Sequence, residues 1–172
     1  SAASDVYKRQ LLAVMKLYDN GKFGLTDRVS DYIPVLKGTG KERITIEELL
    51  MHQSGLPAFW PFYKKAIDEE SYTGAFYRTR PDAGHHRQID TRLFVIDHFG
   101  YKKELVSKVF SSDYPLLVSD SMYLHRSFRD SVLQQIAGVP LKDRRYRYSD
   151  LNFILLREIV EHITTVSYTH LR

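Results

Sequence analysis

Apolar residues recur at roughly helical spacing near the start of the chain. They are Leu11, Leu12, Met15, Leu17 and Tyr18. This spacing predicts a helix that ends near Asp19. Asn20 and Gly21 follow as a stop signal, and we expect Gly21 to adopt the positive φ that commonly closes a helix.

Further helices are predicted downstream. Thr45 and Glu48 have the spacing of a capping box, in which each side chain satisfies an otherwise unpaired amide. A helix therefore begins after Thr45, and it ends before Gly55. Residues 127–136 and 154–163 carry apolar side chains on one side and predict two more helices.

The middle of the chain has a different pattern. Residues 58–67 are rich in aromatic side chains, which we expect to pack against the core. Residues 68–92 are polar and predict a long surface insertion. The short runs at 93–96 and 105–110 predict a small hairpin, and residues 114–124 a further extended stretch.

The composition fits a globular protein. The 172 residues are 43% hydrophobic and 27% charged, which favours a folded chain long enough to bury a core. No apolar run approaches the roughly 18 residues that a membrane-spanning helix needs. The absence of cysteine excludes disulfides and thiolate metal sites. Residues 1–10 lack the apolar centre of a signal peptide.

Both ends of the chain look foreign to the rest. Residues 4–10, Ser-Asp-Val-Tyr-Lys-Arg-Gln, and 166–172, Val-Ser-Tyr-Thr-His-Leu-Arg, resemble translated sequencing adapters seen on metagenomic gene predictions. We predict that residues 1–10 and 166–172 are non-native, and that residues 11–165 form a partial domain with residues 68–92 as its surface insertion. The alternative is a pair of frayed native ends.

The charge balance gives little support for nucleic-acid binding. The net charge is +4. Without Lys8, Arg9, Arg172 and Asp5 of the suspect ends, 22 basic and 20 acidic residues remain, a balance too even to attract a polyanion. The basic residues between 142 and 147 are interpreted as a solvated loop, with an anion patch as the alternative, and we expect no nucleic-acid partner.

Two clusters suggest other chemistry and are interpreted as structural. His52 and Ser54 suggest a hydrolytic pair. A second cluster, of Asp82, His85, His86, Asp90 and His98, suggests a metal site. Adjacent histidines in a strand point to opposite faces, and no helical pair exists among them, so we predict no metal site.

Two stretches carry a family resemblance. Residues 146–153 read Tyr-Arg-Tyr-Ser-Asp-Leu-Asn-Phe, and residues 44–57 read Ile-Thr-Ile-Glu-Glu-Leu-Leu-Met-His-Gln-Ser-Gly-Leu-Pro. Together they resemble the serine β-lactamase and penicillin-binding-protein superfamily, in its branch of β-lactamase-related serine hydrolases. The insertion and the run of residues 146–156 resemble a subgroup fused to family 3 β-N-acetylglucosaminidases. In this family, residues 52–54 belong to a structural helix end.

The resemblance implies three motifs, of which one is partly matched. Tyr148 falls on the tyrosine of a Tyr-x-Asn motif, where it is implied to relay protons. Asp150 stands where asparagine is usual, and an ionised aspartate accepts hydrogen bonds but donates none. Asp150 and Asn152 are the implied substrate-binding residues, although Asn152 could simply begin the helix, and Tyr148 could simply pack with Tyr146 and Phe153.

The other two motifs are missing from the sequence. No serine has a lysine three residues later, so the Ser-x-x-Lys nucleophile is absent, and the third motif, a Lys-Thr-Gly or His-x-Gly strand, would lie beyond residue 166. We therefore expect a fragment of an α+β β-lactamase/transpeptidase-like fold. It should contain mostly the helical region with a short hairpin, and most of the central antiparallel sheet should be missing.

The resemblance also implies a function. The parent protein is expected to be a serine hydrolase that forms an acyl-enzyme on an ester or amide, without metal or organic cofactor, and to lie in the periplasm or elsewhere outside the cytoplasm. Its substrate would be a small acyl or peptidoglycan-type compound, and this chain would be inactive as it stands. The alternative is a non-catalytic module that binds peptidoglycan or a partner. A small independent helical domain is disfavoured, because a lone helical layer would expose an apolar side. The sequence gives no indication of oligomeric state.

Overall fold

The computed structural model describes the backbone of residues 2–169 and the side chains of residues 8–165. The chain divides into two compact units. Unit 1 comprises Ser1–Trp60 and Leu133–Arg172, and unit 2 comprises Pro61–Val132. Of the predicted non-native ends, residues 1 and 170–172 lie outside the described residues, and that prediction stays open.

Helices dominate unit 1. They are α1 (Ala2–Asp19), α2 (Val29–Tyr32), α3 (Ile46–Leu50), α4 (Ser127–Gly138, which begins in unit 2) and α5 (Asp150–Thr169), with a 3₁₀ turn at Pro34–Leu36. The predicted end of the first helix at Asp19 is confirmed, and Gly21 has the expected positive φ of 65°. The capping box of Thr45 and Glu48 is also confirmed.

The core of unit 1 forms where α5 packs against α1, α2 and α3. Its largest fully buried apolar side chains are Leu36, Ile44, Ile46, Leu49, Leu56, Ile136, Leu151, Leu155 and Ile159. In α1, Val14 is buried, whereas Leu12 and Met15 are 64% and 53% exposed. The spacing of apolar residues thus predicted the helix correctly, although several of them lie on its outer surface.

Unit 2 is built from short strands. They are β1 (Ile67–Asp68), β2 (Tyr77–Arg78), β3 (Arg87–Asp90), β4 (Leu93–Val95), β5 (Gly100–Tyr101), β6 (Val106–Ser107), β7 (Leu116–Ser119) and β8 (Met122–Leu124). All pairs are antiparallel. β4 lies between β2 and β3, β8 lies between β6 and β7, and β1 pairs with β5. Strands of two to four residues are at the short end for globular proteins.

The predicted hairpin between residues 93–96 and 105–110 is wrong. β4 pairs with β3 at Asp90 and Leu93, and β6 pairs with β8. The extended stretch at 114–124 is itself a hairpin of β7 and β8, with Ser121 at a positive φ of 62° in its turn. Short loops join the pairs β3–β4 and β7–β8, whereas β1–β5, β2–β4 and β6–β8 pair across longer stretches of chain.

Two further expectations for the middle of the chain need correction. Phe59 and Tyr63 are 60% and 42% exposed, so these two rings do not pack into a core as predicted, whereas Ala66 and Ile67 of the same segment are buried. Residues 68–92 are largely exposed, as expected of a surface insertion, but they contain β2, β3 and the 3₁₀ turn Glu69–Ser71. The whole is a mixed α+β architecture, as predicted, with three small sheets instead of one short hairpin. Among the described residues, no helix is long and apolar enough to cross a membrane.

Candidate active site at the start of α5

Tyr148 lies two residues before the first residue of α5, on the surface of unit 1. Its ring centroid is 4.9 Å from that of His52, with the planes inclined at 33°, and 5.8 Å from that of Phe153. The residue remains 46% exposed. Tyr148 is therefore both a packing residue and accessible to a ligand, and the two interpretations of it are compatible.

A buried chain of polar side chains lies beneath this tyrosine. The Ser54 hydroxyl donates to Asn152 Oδ1 at 2.7 Å, and Asn152 Nδ2 donates to His52 Nδ1 at 2.9 Å. The backbone N–H of Ser149 also points at His52 Nδ1, at 3.3 Å. Ser54 and Asn152 are 1% and 0% exposed. Such a network costs little to bury, because its donors have acceptors within the protein.

The backbone ties the two segments of the site together. The N–H of Arg147 donates to the carbonyl of His52 at 2.8 Å, and that of Lys142 to the carbonyl of Gly55 at 2.8 Å. Further along, the N–H of Asp150 donates to Ala58 O at 3.1 Å. Residues 52–58 therefore hold residues 142–150 in register, much as paired strands do.

Gly55 permits this close approach. Its φ is +81°, and a Cβ at this position would lie 2.7 Å from the carbonyl oxygen of Lys142. That distance is below any normal contact, so only glycine fits here without moving the backbone.

Asp150 begins α5, where its charge is favourable to the helix dipole. Burial lowers the pKa of the His52 imidazole, and the Asp150 carboxylate opposes this by raising it. The net direction is downward, so the fold favours the neutral ring. His52 also has a positive φ of 53°, which is uncommon outside glycine.

Comparison with known proteins identifies the family. A family model described as Beta-lactamase matches residues 11–171. The chain belongs to the Beta-lactamase family. No curated protein and no solved structure matches the chain. The match confirms the resemblance and places the chain generally in the serine hydrolase superfamily.

The finer family predictions stay open. The match extends past residue 165, the predicted end of the domain. The proposed fusion subgroup is not shown by it. The chain's sequence has no Ser-x-x-Lys, so the nucleophile of a Beta-lactamase family enzyme has no counterpart among its 172 residues.

The structure brings the three predicted site residues together but gives them unequal access. Tyr148 is exposed and Asp150 partly so, whereas Asn152 is fully buried. Both polar atoms of the Asn152 carboxamide have partners inside the protein. This placement favours a structural role for Asn152 in the Beta-lactamase fold, which was the alternative interpretation of that residue. Direct substrate binding by Asp150 and Asn152 remains a prediction.

The geometry of Ser54 fits the interpretation of residues 52–54 as a structural helix end. Its hydroxyl donates to Asn152 and accepts the N–H of Leu56 at 3.2 Å. The Ser54 hydroxyl is linked to His52 only through the carboxamide of Asn152. A direct Ser–His hydrolytic pair would require the hydroxyl to donate to the imidazole.

Two histidines of unit 2, His85 and His86, pair with aspartates. His85 is 6% exposed, and its two ring nitrogens lie 2.7 Å from Asp82 Oδ1 and 2.7 Å from Ala75 O. His86 Nδ1 lies 2.6 Å from Asp97 Oδ2, beside an open cleft of about 560 Å³. Among the side chains that the structure describes, no three His, Asp or Glu residues are placed to hold a metal ion.

The basic segment between 142 and 147 is largely paired. Arg144 bonds Glu48, while Arg145 and Arg147 both bond Asp143, at 3.1 Å each. Ion pairs within the segment reduce the positive field available to a polyanion.

Sequence reasoning missed the Ser54–Asn152–His52 network. A usable signal was present for Asn152, a polar residue between the apolar Leu151 and Phe153 near the predicted start of a helix. What the sequence could not supply was its contact with Ser54, since 98 positions separate the two residues.

Proposed function

We propose that this chain carries the proton-relay motif of a serine hydrolase that works through a covalent acyl-enzyme on an ester or amide. The placement of Tyr148 is the observation that carries the proposal. Its ring is held against His52 at 4.9 Å, yet the residue stays 46% exposed. A general acid–base residue needs both a fixed position and access to the reacting atoms.

Each motif residue has a proposed role. The Tyr148 hydroxyl gives its phenolic proton to the leaving group and takes back the proton that the lysine of the Ser-x-x-Lys motif removed from the attacking serine, and Asp150 accepts hydrogen bonds from the substrate. Asn152 supports substrate binding without contacting the substrate, by keeping His52 and the start of α5 in place. The substrate is a small acyl or peptidoglycan-type compound, and the chemistry uses neither metal nor organic cofactor.

The location of the parent protein is proposed from the substrate class. A peptidoglycan-type substrate lies outside the cytoplasm, so the parent protein should be periplasmic or otherwise extracytoplasmic. Fractionation of cells that express the natural gene tests this, and recovery with the cytosol would overturn it.

The chain as printed is proposed to be inactive. Without a Ser-x-x-Lys there is no covalent route, whatever Tyr148 does. We expect no turnover of nitrocefin or p-nitrophenyl acetate above the buffer rate. Turnover that disappears on substitution of a serine in this chain would overturn the inactivity.

The decisive experiment extends the reading frame at the locus in both directions. We expect a Ser-x-x-Lys upstream and an active longer protein. In that protein, Tyr148→Phe should lower kcat by about 10²–10⁴-fold, the range for loss of a general acid–base. The matched control is Tyr146→Phe, since Tyr146 is 71% exposed and also contacts His52. Equal effects of the two substitutions would contradict the relay role.

A non-catalytic binding module is the second candidate, and the exposed aromatic rings favour it. Tyr146 and Tyr148 flank the His52 ring, with centroids at 6.0 and 4.9 Å. Exposed aromatic rings are suitable for stacking on sugar rings. Calorimetric titration of this chain with soluble peptidoglycan fragments tests the idea. Binding that both Tyr→Ala variants lose, together with a longer frame lacking Ser-x-x-Lys, would favour the binding module over the enzyme.

A further inference from the structure

We infer that His52 is a positioning residue of the proposed site, and that protonation of its Nδ1 releases the segment of residues 147–149 that presents Tyr148. The inference deepens the proposed function, since its catalytic meaning rests on the relay role of Tyr148. The coupling between His52 and this segment stands on geometry within unit 1 alone.

The hydrogen bonds fix the state of the ring. Nδ1 of His52 faces two donors, the amide of Asn152 at 2.9 Å and the backbone N–H of Ser149 at 3.3 Å. Neither donor can act as an acceptor here, so Nδ1 must offer its lone pair. The ring is therefore neutral, with its proton on Nε2.

Protonation reverses this arrangement. A proton on Nδ1 would point an N–H at two other N–H groups, so both hydrogen bonds would be lost and replaced by repulsion. Asn152 is fully buried and would keep its bond from Ser54 while its Nδ2 lost its acceptor. A buried donor without a partner costs about 1–3 kcal/mol. The strain falls on the segment of residues 147–149, because Arg147 and Tyr148 in it are partly exposed, whereas Asn152 is enclosed on all sides.

The main chain of His52 acts on the same segment. Its carbonyl accepts the N–H of Arg147 at 2.8 Å, and its ring packs on Tyr148. Three successive residues, Arg147, Tyr148 and Ser149, thus each contact His52 through a different group.

The backbone of His52 supports a specific role. Its φ of 53° lies in the left-handed region, which non-glycine residues adopt at a cost and which persists where the surroundings impose it. Asparagine tolerates this region better than most residues. Asparagine also carries a side-chain oxygen that can accept a hydrogen bond but does not titrate, which suggests a substitution for the test.

The charges around His52 favour the neutral ring. Burial lowers its pKa, and Asp150 of α5 opposes this to a smaller extent. Tyr146 and Tyr148 present their rings from the segment before α5. On α3, the Glu48 carboxylate is occupied by the Thr45 N–H and by Arg144.

The guanidinium of Arg147, the other charge on the segment, bonds Asp143 at 3.1 Å. Its Nη1 is buried without a hydrogen-bond partner among the described residues. The guanidinium is a fixed positive charge. His52 is therefore the group whose protonation in mildly acidic solution would alter this contact.

The test uses the chain as printed and NMR spectroscopy of its imidazole nitrogens across pH. At neutral pH we expect His52 as the Nε2–H tautomer. On acidification, the Asn152 side-chain amide and the backbone amides of Tyr148 and Ser149 should shift with the midpoint of His52. An Nδ1–H tautomer, or signals of Tyr148 and Ser149 that ignore the His52 midpoint, would overturn the inference.

Two variants separate position from charge. His52→Asn should keep the neutral-pH signals of Tyr148 and Ser149 close to wild type and abolish their acid transition. His52→Ala should lose the position at every pH. His162→Asn is the matched control, because it removes a different histidine ring of unit 1, one that packs on Tyr32. Retention of the acid transition in His52→Asn would contradict the inference.

The outcomes distinguish this inference from the proposed function. If Tyr148→Phe leaves turnover of the longer enzyme unchanged, the relay role fails, while the coupling of His52 to residues 147–149 is still decided by the spectra. If the spectra show no coupling, the positioning role of His52 fails, and the relay role of Tyr148 is decided by turnover alone.

Discussion

The two units of this chain are stabilised in different ways. All of the largest fully buried side chains, from Val29 to Ile159, belong to unit 1. Unit 2 buries only smaller or less completely enclosed residues, among them Ile67, Val95 and Phe128 at 3–7% exposure. Unit 1 therefore depends on a packed core with a buried polar network beneath Tyr148.

Unit 2 relies on contacts near its surface. Phe76 packs on Tyr72, Tyr77 and Phe99 with ring centroids 4.8–5.2 Å apart. Such aromatic pairs contribute about 0.5–1.5 kcal/mol each beyond the area they bury. The comparison shows that the residues of the candidate site lie in the unit with the stronger core, where a fixed tyrosine is easiest to maintain.

Core truncation should separate the units most clearly. Leu155 is 0% exposed and Leu117 is 64% exposed, so the same leucine-to-alanine change removes contacts in one unit and few in the other. We expect Leu155→Ala to lower the free energy of unfolding by about 2–5 kcal/mol. Leu117→Ala should change it by less than about 0.5 kcal/mol.

Urea unfolding followed by circular dichroism measures both changes. A cost for Leu117→Ala similar to that of Leu155→Ala would show that Leu117 is enclosed by the rest of unit 2, and the contrast between the buried and the exposed leucine would be wrong.

Glycine substitution gives the next largest effect. Gly55 and Gly74 have nearly the same φ, +81° and +84°, but only at Gly55 would an added Cβ meet a backbone atom, the carbonyl oxygen of Lys142 at 2.7 Å. Gly74→Ala should cost about 1 kcal/mol for the left-handed backbone alone. Gly55→Ala should cost more, up to about 3 kcal/mol, because the backbone must also move.

The same urea experiment compares the two alanine variants. Gly55 follows the end of α3, and its carbonyl accepts the N–H of Lys142. Its substitution should therefore also shift the NMR signals of Ser149. Equal stabilities of Gly55→Ala and Gly74→Ala would mean that the Lys142 contact yields freely, and that residues 52–58 do not hold residues 142–150 in register.

Helix capping should give a smaller contrast. The Thr45 hydroxyl accepts the Glu48 N–H at 3.2 Å, while Asp68 in unit 2 accepts the Glu70 N–H at 3.1 Å. Thr45→Ala should cost about 1 kcal/mol. Asp68→Ala should cost less, because the exposed 3₁₀ turn Glu69–Ser71 has no buried residue to hold. Thr45→Ser is the control that keeps the hydroxyl, and a loss there as large as in Thr45→Ala would contradict the capping explanation.

The elements that could be predicted from sequence were those set by neighbouring residues. The capping box of Thr45 and Glu48 and the helix stop at Gly21 each depend on a few consecutive positions. The pairing of β4 with β3 was missed because runs such as 93–95 and 106–107 are too short to specify a partner, and the turns that decide it are polar and carry no distinctive sequence signal.

The same distinction between local patterns and long-range contacts applies to the candidate site. Tyr148 and Asp150 could be identified from a family motif of adjacent residues. The hydrogen bonds that hold them join His52 and Ser54 to Ser149 and Asn152, across nearly 100 positions, and no local pattern specifies such a contact. The exposure of Phe59 was missed for a related reason, since aromatic composition does not say which surface is covered.

The smallest expected effect is a difference in pH dependence between the units. In unit 2, hydrogen bonds that the His85 ring donates to Asp82 and to the Ala75 carbonyl raise the pKa of His85, whereas in unit 1 burial lowers the pKa of His52. A histidine whose pKa is raised by folding contributes its full stabilisation at pH below its ordinary pKa of about 6.5. That contribution is lost as the pH rises through the pKa of the histidine in the folded protein. A histidine whose pKa is lowered by folding contributes its full stabilisation at pH above about 6.5. That contribution is lost as the pH falls through the pKa of the histidine in the folded protein.

The Asp82 carboxyl determines how far into acid the Asp82–His85 pair of unit 2 still stabilises the fold. The Gly84 N–H, and then His85, lower the pKa of its carboxyl, so its contribution is full above the ordinary aspartate value of 3.8 and is lost as pH falls through the folded value. The Asp82–His85 pair should therefore be most stabilising between about 3.8 and 6.5, below the range in which His52 holds Ser149.

Amide hydrogen exchange, corrected for the intrinsic rate, can measure the two responses in one sample. The Ser149 N–H points at His52 Nδ1, and the Gly84 N–H donates to Asp82 Oδ1 at 3.0 Å. On acidification from neutral pH, protection of Ser149 should fall while that of Gly84 holds or rises. Asp82→Asn keeps an acceptor for Gly84 but removes the charge, so it should flatten the response of Gly84 and leave that of Ser149 unchanged. Parallel loss of protection at both amides would mean that one global titration governs the chain, and that the two histidines do not act in opposite directions.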